Sequence, residues 1–278
     1  MMRKTIIRPF QGSQAEAEGL LAVEKATFAE SPYSAAEIRT MLTDGPQRAW
    51  LALAGEQVVG FVTAFVTYRR RKSPCWEIDL LAVHPDWQGQ GLARRLIRAA
   101  AAHGATVAYR ARALVADDNG ASARAFLRVG FRRSEEAYRL LIFRTDKQPL
   151  PPPQAPGVRI RAEEEPQQGR TMLYAAKGER PTGEVELLQV ETLLYRGLWL
   201  ESWQAEIPET AAALVRAALE RAAVAGLEEV GAVIPEENRL WQETLLTAGF
   251  RSLGRFHWLT ARLPLPGAVI GPWDVLRP

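Results

Sequence analysis

Residues 75–104 set the strongest limit on what this chain can fold into. "CWEIDLLAV" reads as a strand, "HPDWQGQG" as a loop with two closely spaced glycines, and "LARRLIRAAAAHG" as a helix stopped by Gly104. Glycine is a poor helix former, so two of them at a helix start need a reason other than propensity. Glycine permits positive φ and lets backbone approach a ligand closely. The first-turn amides of a helix have no internal partner, and the helix dipole adds partial positive charge there. Gly89, Gln90, Gly91, Leu92, Ala93 and Arg94 therefore read as an anion cradle suited to a phosphate or pyrophosphate. Arg94 and Arg95 sit in that first turn and either add charge to the cradle or belong to a solvated helix face, Arg95 at least as readily the latter.

The flanking segments supply strands to pair with this unit. "KTIIRPF", "AWLALAG", "VVGFVTAFVTY", "TVAYRARAL" and a final pair within "GFRRSEEAYRLLIFR" read as strands; 14–29, 34–43 and 118–129 read as helices. The fold class is α/β with a mixed sheet. No apolar run approaches the roughly 20 residues of a membrane helix, and the N-terminus lacks a signal-peptide core. Cys75 is the only cysteine, which points to a cytoplasmic protein without disulfides. Residues 1–147 carry 22 Lys/Arg against 15 Asp/Glu, and the remainder 13 against 17. A basic first half fits an anionic ligand, or two halves that face each other. The run "YRRRKSP" reads as a solvated hairpin tip, with an acidic substrate or RNA as the alternative. No basic stripe interleaved with aromatics supports nucleic acid.

The chain repeats itself. Asn119 precedes Gly130-Phe131 as Asn238 precedes Gly249-Phe250, an offset of 119; Gly55-Glu56 with Gly60 recurs as Gly178-Glu179 with Gly183, an offset of 123. The copy lacks the helical pair of 14–43. "DKQPLPPPQAPG" separates the halves. The expected domains are 1–147, a Pro-rich linker at 148–157, and 158–278, with Trp273 anchoring the tail.

Two nucleotide motifs are absent: neither G-x-x-x-x-G-K-[ST] nor G-x-G-x-x-G occurs. Gln88, Gly91 and Ala93 instead resemble the Q/R-x-x-G-x-G/A pyrophosphate loop of the GNAT superfamily, the acetyl-CoA-dependent N-acetyltransferases. Val83-His84-Pro85 matches the end of that family's preceding strand, and "NGASARAFLRVGF" its later Asn to Gly-Phe helix. The resemblance implies two tandem GNAT-like domains, the second shortened and degenerate. It implies that the amides of Gly89 to Arg94 hold the pyrophosphate of acetyl-CoA. It further implies that the backbone of Leu81, Ala82 and Val83 accompanies the pantetheine arm, that the Val83 amide polarises the thioester carbonyl, and that Asn119 bonds the arm.

The usual tyrosine that protonates the departing thiolate is here Phe126, at the same position along the arm but with no proton to give. The acid is then water, another residue such as Tyr138, or none at all, since thiolate is a good leaving group by itself. Glu77 and Asp79 lie two apart on the strand, so they share a face with each other and with Leu81 and Val83. Either is a candidate base for the acceptor ammonium, Glu77 by resemblance. The alternative is a pairing with Arg110 or Arg112. His84 suits a turn, and Cys75 a buried structural role. In the second half an offset of 119 puts Ile207, Thr210 and Ala212 where Gln88, Gly91 and Ala93 stand, and Arg196 and Leu198 where Glu77 and Asp79 stand. Glycines are missing there, and Glu206 and Glu209 would repel phosphate. The expected function is N-acetyl transfer from acetyl-CoA to a primary amine, small molecule or peptide, through a ternary complex in the first domain, without a metal or membrane partner. A protein amine acceptor and a non-catalytic acyl-CoA sensor are the alternatives, and oligomer formation is left open.

Overall fold

The computed structural model describes residues 4–28, 31–70, 72–152 and 157–266. The chain runs β1 (Ile6–Pro9), α1 (Gln14–Phe28), α2 (Ala35–Asp44), β2 (Arg48–Ala54), β3 (Gln57–Thr67), β4 (Cys75–Val83), α3 (Leu92–Gly104), β5 (Arg110–Ala116), α4 (Gly120–Leu127), β6 (Arg132–Arg133) and β7 (Tyr138–Arg144). It continues β8 (Val158–Glu165), β9 (Arg170–Lys177), β10 (Arg180–Glu191), β11 (Arg196–Ala205), α5 (Pro208–Val224), β12 (Glu229–Pro235), α6 (Arg239–Thr247) and β13 (Arg251–Arg262).

Two compact units emerge, and neither is one stretch of sequence. The first holds Met1–Ser134, Thr192–Leu194 and His257–Pro278; the second holds Glu135–Glu191 and Tyr195–Phe256. The first unit's sheet runs β1-β2-β3-β4-β5, then the second half of β13, with β6 beside it. α3 covers one face over Leu96, Ile97 and Ala100, and α1 and α2 cover the other over Leu20, Ile38 and Leu42. β4 pairs with β5 in parallel only from Cys75 to Glu77, so the two strands part from Ile78 onward. The second half of β13 is fastened in this unit: Leu259, Ala261 and Leu263 join its core, and His257 Nε2 lies 3.3 Å from Asp117 Oδ1.

The second unit's sheet runs β8-β9-β10-β11-β12-β7, with the first half of β13 paired to β7. Leu141 and Phe143 of β7 sit in its core with α5, and the rings of Phe143 and Phe250 stack at 5.5 Å.

This corrects the expected domains. β7 was expected to close the first unit, yet it pairs with β12; the C-terminal half of β13 closes the first unit instead. β7 and that half of β13 each begin seven residues after a Gly-Phe pair, Gly130-Phe131 and Gly249-Phe250. They are the equivalent strands of the two copies, exchanged. The Pro-rich segment therefore lies within the second unit, between β7 and β8, and is no interdomain linker. Its residues 153–156, Arg71 of the basic run and Trp273 lie outside the described residues.

The internal repeat is explicit in the backbone. Asn119 and Asn238 cap α4 and α6 with φ/ψ of −83°/63° and −82°/76°, each accepting from the amide three residues on. Sheet register sharpens the equivalences. Glu77 opposes Arg112 on β5, and Trp199 opposes Gly231 on β12, so Trp199 stands in for Glu77, not Arg196. Asp79 corresponds to Glu201, because both strands bulge at that point against β3 and β10.

Candidate active site

The glycine loop has the geometry its sequence demands. Gly89 and Gly91 take φ of 76° and 78°, the left-handed region that disfavours side chains. A Cβ on Gly89 would meet nothing within 4 Å, so the space above that backbone is open. Gly91 is the N-cap of α3 and makes no side-chain capping bond. The helical ladder begins with Arg95 N donating to Gly91 O at 3.3 Å, which leaves the amides of Leu92, Ala93 and Arg94 ahead of it. Leu92 buries its side chain in the core while its amide stays at the helix end. Arg94 folds its exposed guanidinium over Gly91. Arg95 is not merely solvated: it donates to the Thr5 hydroxyl and carbonyl at 2.5 and 2.8 Å. Gln88 Nε2 donates to Val83 O at 3.0 Å and straps the loop to the end of β4. His84 caps the turn at Pro85–Trp87, accepting from Asp86 N at 3.3 Å.

The end of β4 presents backbone on its open edge. His84 N donates to Val59 O, and hydrogen-bonded pairs alternate along an antiparallel ladder, so the peptide groups of Leu81 and Val83 point away from β3. They point to the side where β5 has already parted. Glycine loop, uncapped helix start and open strand edge together offer backbone donors to an anionic ligand.

The face assignment of β4 needs correction. Trp76 and Ile78 pack with α3, whereas Leu80 and Ala82 pack with α1 and α2. Strict alternation would keep all four together. The bulge opposite Thr63 switches the strand between Ile78 and Leu80. Glu77 thus faces the α1/α2 side with Leu80 and Ala82, and Leu81 and Val83 face the α3 side.

The two candidate carboxylates differ sharply. Glu77 is 7% exposed and held by Arg112, whose Nε lies 2.7 Å from both carboxylate oxygens. Thr67 Oγ1 adds a 2.5 Å bond, and the Arg112 guanidinium stacks 4.1 Å over Trp258 of β13. This is a buried ion pair with its lone pairs engaged. Asp79 has no cation beside it among its hydrogen-bond partners. It accepts from Gln47 Nε2 at 2.8 Å and from the Thr192 hydroxyl. Burial pushes its pKa up to about 7, the Thr192 bond and the Gln47 bond pull it down, and the nearby Glu77 charge pushes it up. A carboxyl with that proton affinity can exchange a proton at neutral pH.

Gln47 is the hub behind Asp79. It is 1% exposed, also donates to Thr63 Oγ1 at 2.9 Å, and accepts from Leu193 N at 3.1 Å. Sequence reasoning missed Gln47, Thr63 and Thr192. A glutamine before a strand and a threonine in a distant hairpin carry no local signal.

Other expectations fare differently. Asn119 accepts from Ser122 N at 3.0 Å, so its carbonyl already serves as a cap. Phe126 is buried, 5.0 Å from Phe131 in an edge-to-face contact, and serves the core. Tyr138 lies in the second unit, its hydroxyl donating to Glu136 at 2.7 Å. Burial, with Glu77 close by, pushes the Cys75 thiol up to about 12, which removes it as a nucleophile near neutrality. No group of metal-ligating side chains occurs among the described residues. No helix among them is long and apolar enough to cross a membrane.

In the second unit the cradle is deleted as well as altered. Eight residues join β4 to α3, but only Glu206 and Ile207 join β11 to α5. Pro208 opens α5, with no glycine at its N-cap. Trp199 lies where Glu77 stands, and a Cβ on Gly231 would come within 2.8 Å of its ring.

Residues 17–131 match the model of the acetyltransferase (GNAT) family. The matched region lies within the first unit. Solved structures extend the likeness of fold across both units. A tandem GNAT protein from the clavulanic acid biosynthesis pathway is 16% identical, with a TM-score of 0.58, over 93% of this chain and 98% of its own. A GCN5-related N-acetyltransferase from Sphaerobacter thermophilus is 17% identical, with a TM-score of 0.60, over 93% and 95%. A putative acetyltransferase from Pyrococcus horikoshii is 14% identical, with a TM-score of 0.58, over 94% and 90%. No curated relative matches the sequence.

Proposed function

We propose that the chain is an N-acetyltransferase that uses acetyl-CoA, acts through its first unit, and takes a primary amine of a small molecule or peptide as acceptor. The observation that carries this reading is the glycine loop, with Gly89 and Gly91 at left-handed φ ahead of α3, at the end of a strand that has parted from β5 and carries Asp79, whose burial raises its proton affinity. The amides of Gly89 to Arg94 hold the pyrophosphate. The peptide groups of Leu81 and Val83 line the arm, and the Val83 N–H donates to the thioester carbonyl oxygen as charge builds there. Asp79 takes the proton of the acceptor ammonium, directly or through water, and the amine attacks the thioester in a ternary complex. The thiolate leaves without a tyrosine acid, since Phe126 is buried in the core, and the second proton of the attacking nitrogen passes to the thiolate or to water. Glu77, locked by Arg112, shapes the site.

The test is CoA release across an amine panel with the full chain, compared with Asp79→Asn. Loss of a general base lowers kcat by roughly 10²–10⁴. Retained turnover in Asp79→Asn at every pH removes Asp79 as base. A second reading, a non-catalytic acyl-CoA sensor, is favoured by the lack of a proton donor at Phe126. Thermal stabilisation by acetyl-CoA with no amine-dependent CoA release selects it.

A further inference from the structure

The chain leaves the second unit after Glu191, places Thr192, Leu193 and Leu194 in the first, and returns at Tyr195. This short excursion is well built. Thr192 and Leu193 are 1% and 3% exposed. Leu193 joins the apolar cluster of Leu20, Ile38, Leu80 and Ala82. Leu194 N donates to the Thr192 hydroxyl oxygen at 3.2 Å, which directs that hydroxyl's own proton elsewhere, and Thr192 bonds the Asp79 carboxyl. Leu193 N donates to Gln47 Oε1, which orients the Gln47 amide so that Nε2 donates to Asp79 and Thr63.

We propose that Thr192 is a positioning residue for Asp79, so that three residues from the second half of the chain set the orientation and proton affinity of the base in the first unit. The proposal rests on the reading of Asp79 as that base. The physical logic is direct. One side of Asp79 is fixed by Gln47, which is itself fixed by the Leu193 amide. The other bond comes from Thr192. Both donors favour the ionised carboxylate and oppose the effect of burial. The charged groups facing Asp79 are Glu77, which raises its proton affinity, and Arg112, which acts through Glu77. Gln47, Thr63 and Thr192 are neutral. Without the Thr192 hydroxyl, Asp79 would stay protonated to higher pH and be a base over a narrower range.

The experiment uses the full chain labelled with ¹³C at aspartate carboxyl carbons, as wild type, Thr192→Val, Thr192→Ser and Asp79→Asn. The Asp79 resonance is assigned as the one missing from Asp79→Asn, and its titration is followed beside the pH dependence of kcat/KM. The expected result is a wild-type midpoint near neutrality, raised by roughly half a unit or more in Thr192→Val, as loss of a hydrogen bond to a charged acceptor requires. Thr192→Ser restores the midpoint, and the acid limb of kcat/KM moves in step. An Asp79 midpoint that Thr192→Val leaves in place overturns the proposal and leaves the base reading standing. An acid limb that fails to follow the Asp79 resonance in any variant overturns the base reading, and the proposal with it. Val keeps the buried volume and Ser keeps the hydroxyl, and an unfolded Thr192→Val would still leave the Ser variant, with its native-like midpoint, to be compared with Thr192→Ala.

Discussion

At the residue scale, two carboxylates on one strand have been given opposite surroundings. Glu77 meets a guanidinium, a hydroxyl and little water; Asp79 meets an amide and a hydroxyl. The difference makes separate predictions. Glu77→Gln leaves the Arg112 charge buried with its partner gone, and loss of one member of such a pair costs about 3–5 kcal/mol. Denaturant unfolding should show that loss, while the acid limb of kcat/KM persists with its midpoint moved down, because the Glu77 charge that raises Asp79's proton affinity is gone. A limb that disappears in Glu77→Gln would return the base to Glu77. Asp79 carries the reverse stability signature. Its pKa is about 7 in the fold and near 3.9 in an unfolded chain, so between those values the folded state binds the extra proton. Stability from this group is present at low pH and falls as pH rises from about 4 through 7, to a loss on the order of 4 kcal/mol. Asp79→Asn should therefore raise Tm at pH 8 and change it little at pH 4. A Tm difference independent of pH would show that Asp79 does not titrate as described. The pairing of Glu77 was readable as an alternative from its arginine-rich neighbourhood. The polar set around Asp79 was not, because Gln47 and Thr192 are remote in sequence and no periodicity ties them to β4.

At the element scale, the strand, glycine loop and helix were legible because their chemistry is local. Positive φ at Gly89 and Gly91 follows from residue type, and the helix start follows from the apolar spacing behind it. Gly89→Ala tests the loop cleanly. The open space around its Cβ leaves only the left-handed backbone penalty, about 1–2 kcal/mol. Calorimetry should show weaker acetyl-CoA binding in this variant, by tenfold or more if the ligand approaches that backbone. Unchanged affinity would place the pyrophosphate elsewhere. The bulge in β4 was not legible, since it depends on register with β3, and one extra residue reverses every face beyond it. Equivalent elements have also diverged in packing. Trp50, Trp76 and His103 form an aromatic cluster with centroids 5.4–6.1 Å apart in the first unit. Sheet register puts Leu173 and Leu198 at the two tryptophan positions of the second, beside a cavity of about 670 Å³.

At the scale of the whole molecule, the repeat was legible and its wiring was not. Two strands that follow identical landmarks at identical spacing carry no mark of which sheet each will join. The exchange predicts that residues 1–147 expressed alone will lack the strand beside β5, the Trp258 face of Arg112 and the Thr192 bond to Asp79. Circular dichroism and denaturant titration should show no cooperative unfolding of that fragment. A sharp two-state transition would mean that β7 can close the first unit after all.

The exchange also governs the order of events on the ribosome. A unit contained in the first half of a chain can fold while the second half is still being made. Here β6 leaves the exit tunnel long before Arg262 does, and at about 5–20 residues per second the wait is roughly 6 to 26 s. Through that interval β5 has an open edge and Arg112 lacks its indole. Synthesis of the first unit is therefore complete only after the strands of the second have been made, and a chain truncated before Arg262 forfeits the proposed catalytic unit along with the unit it visibly lacks.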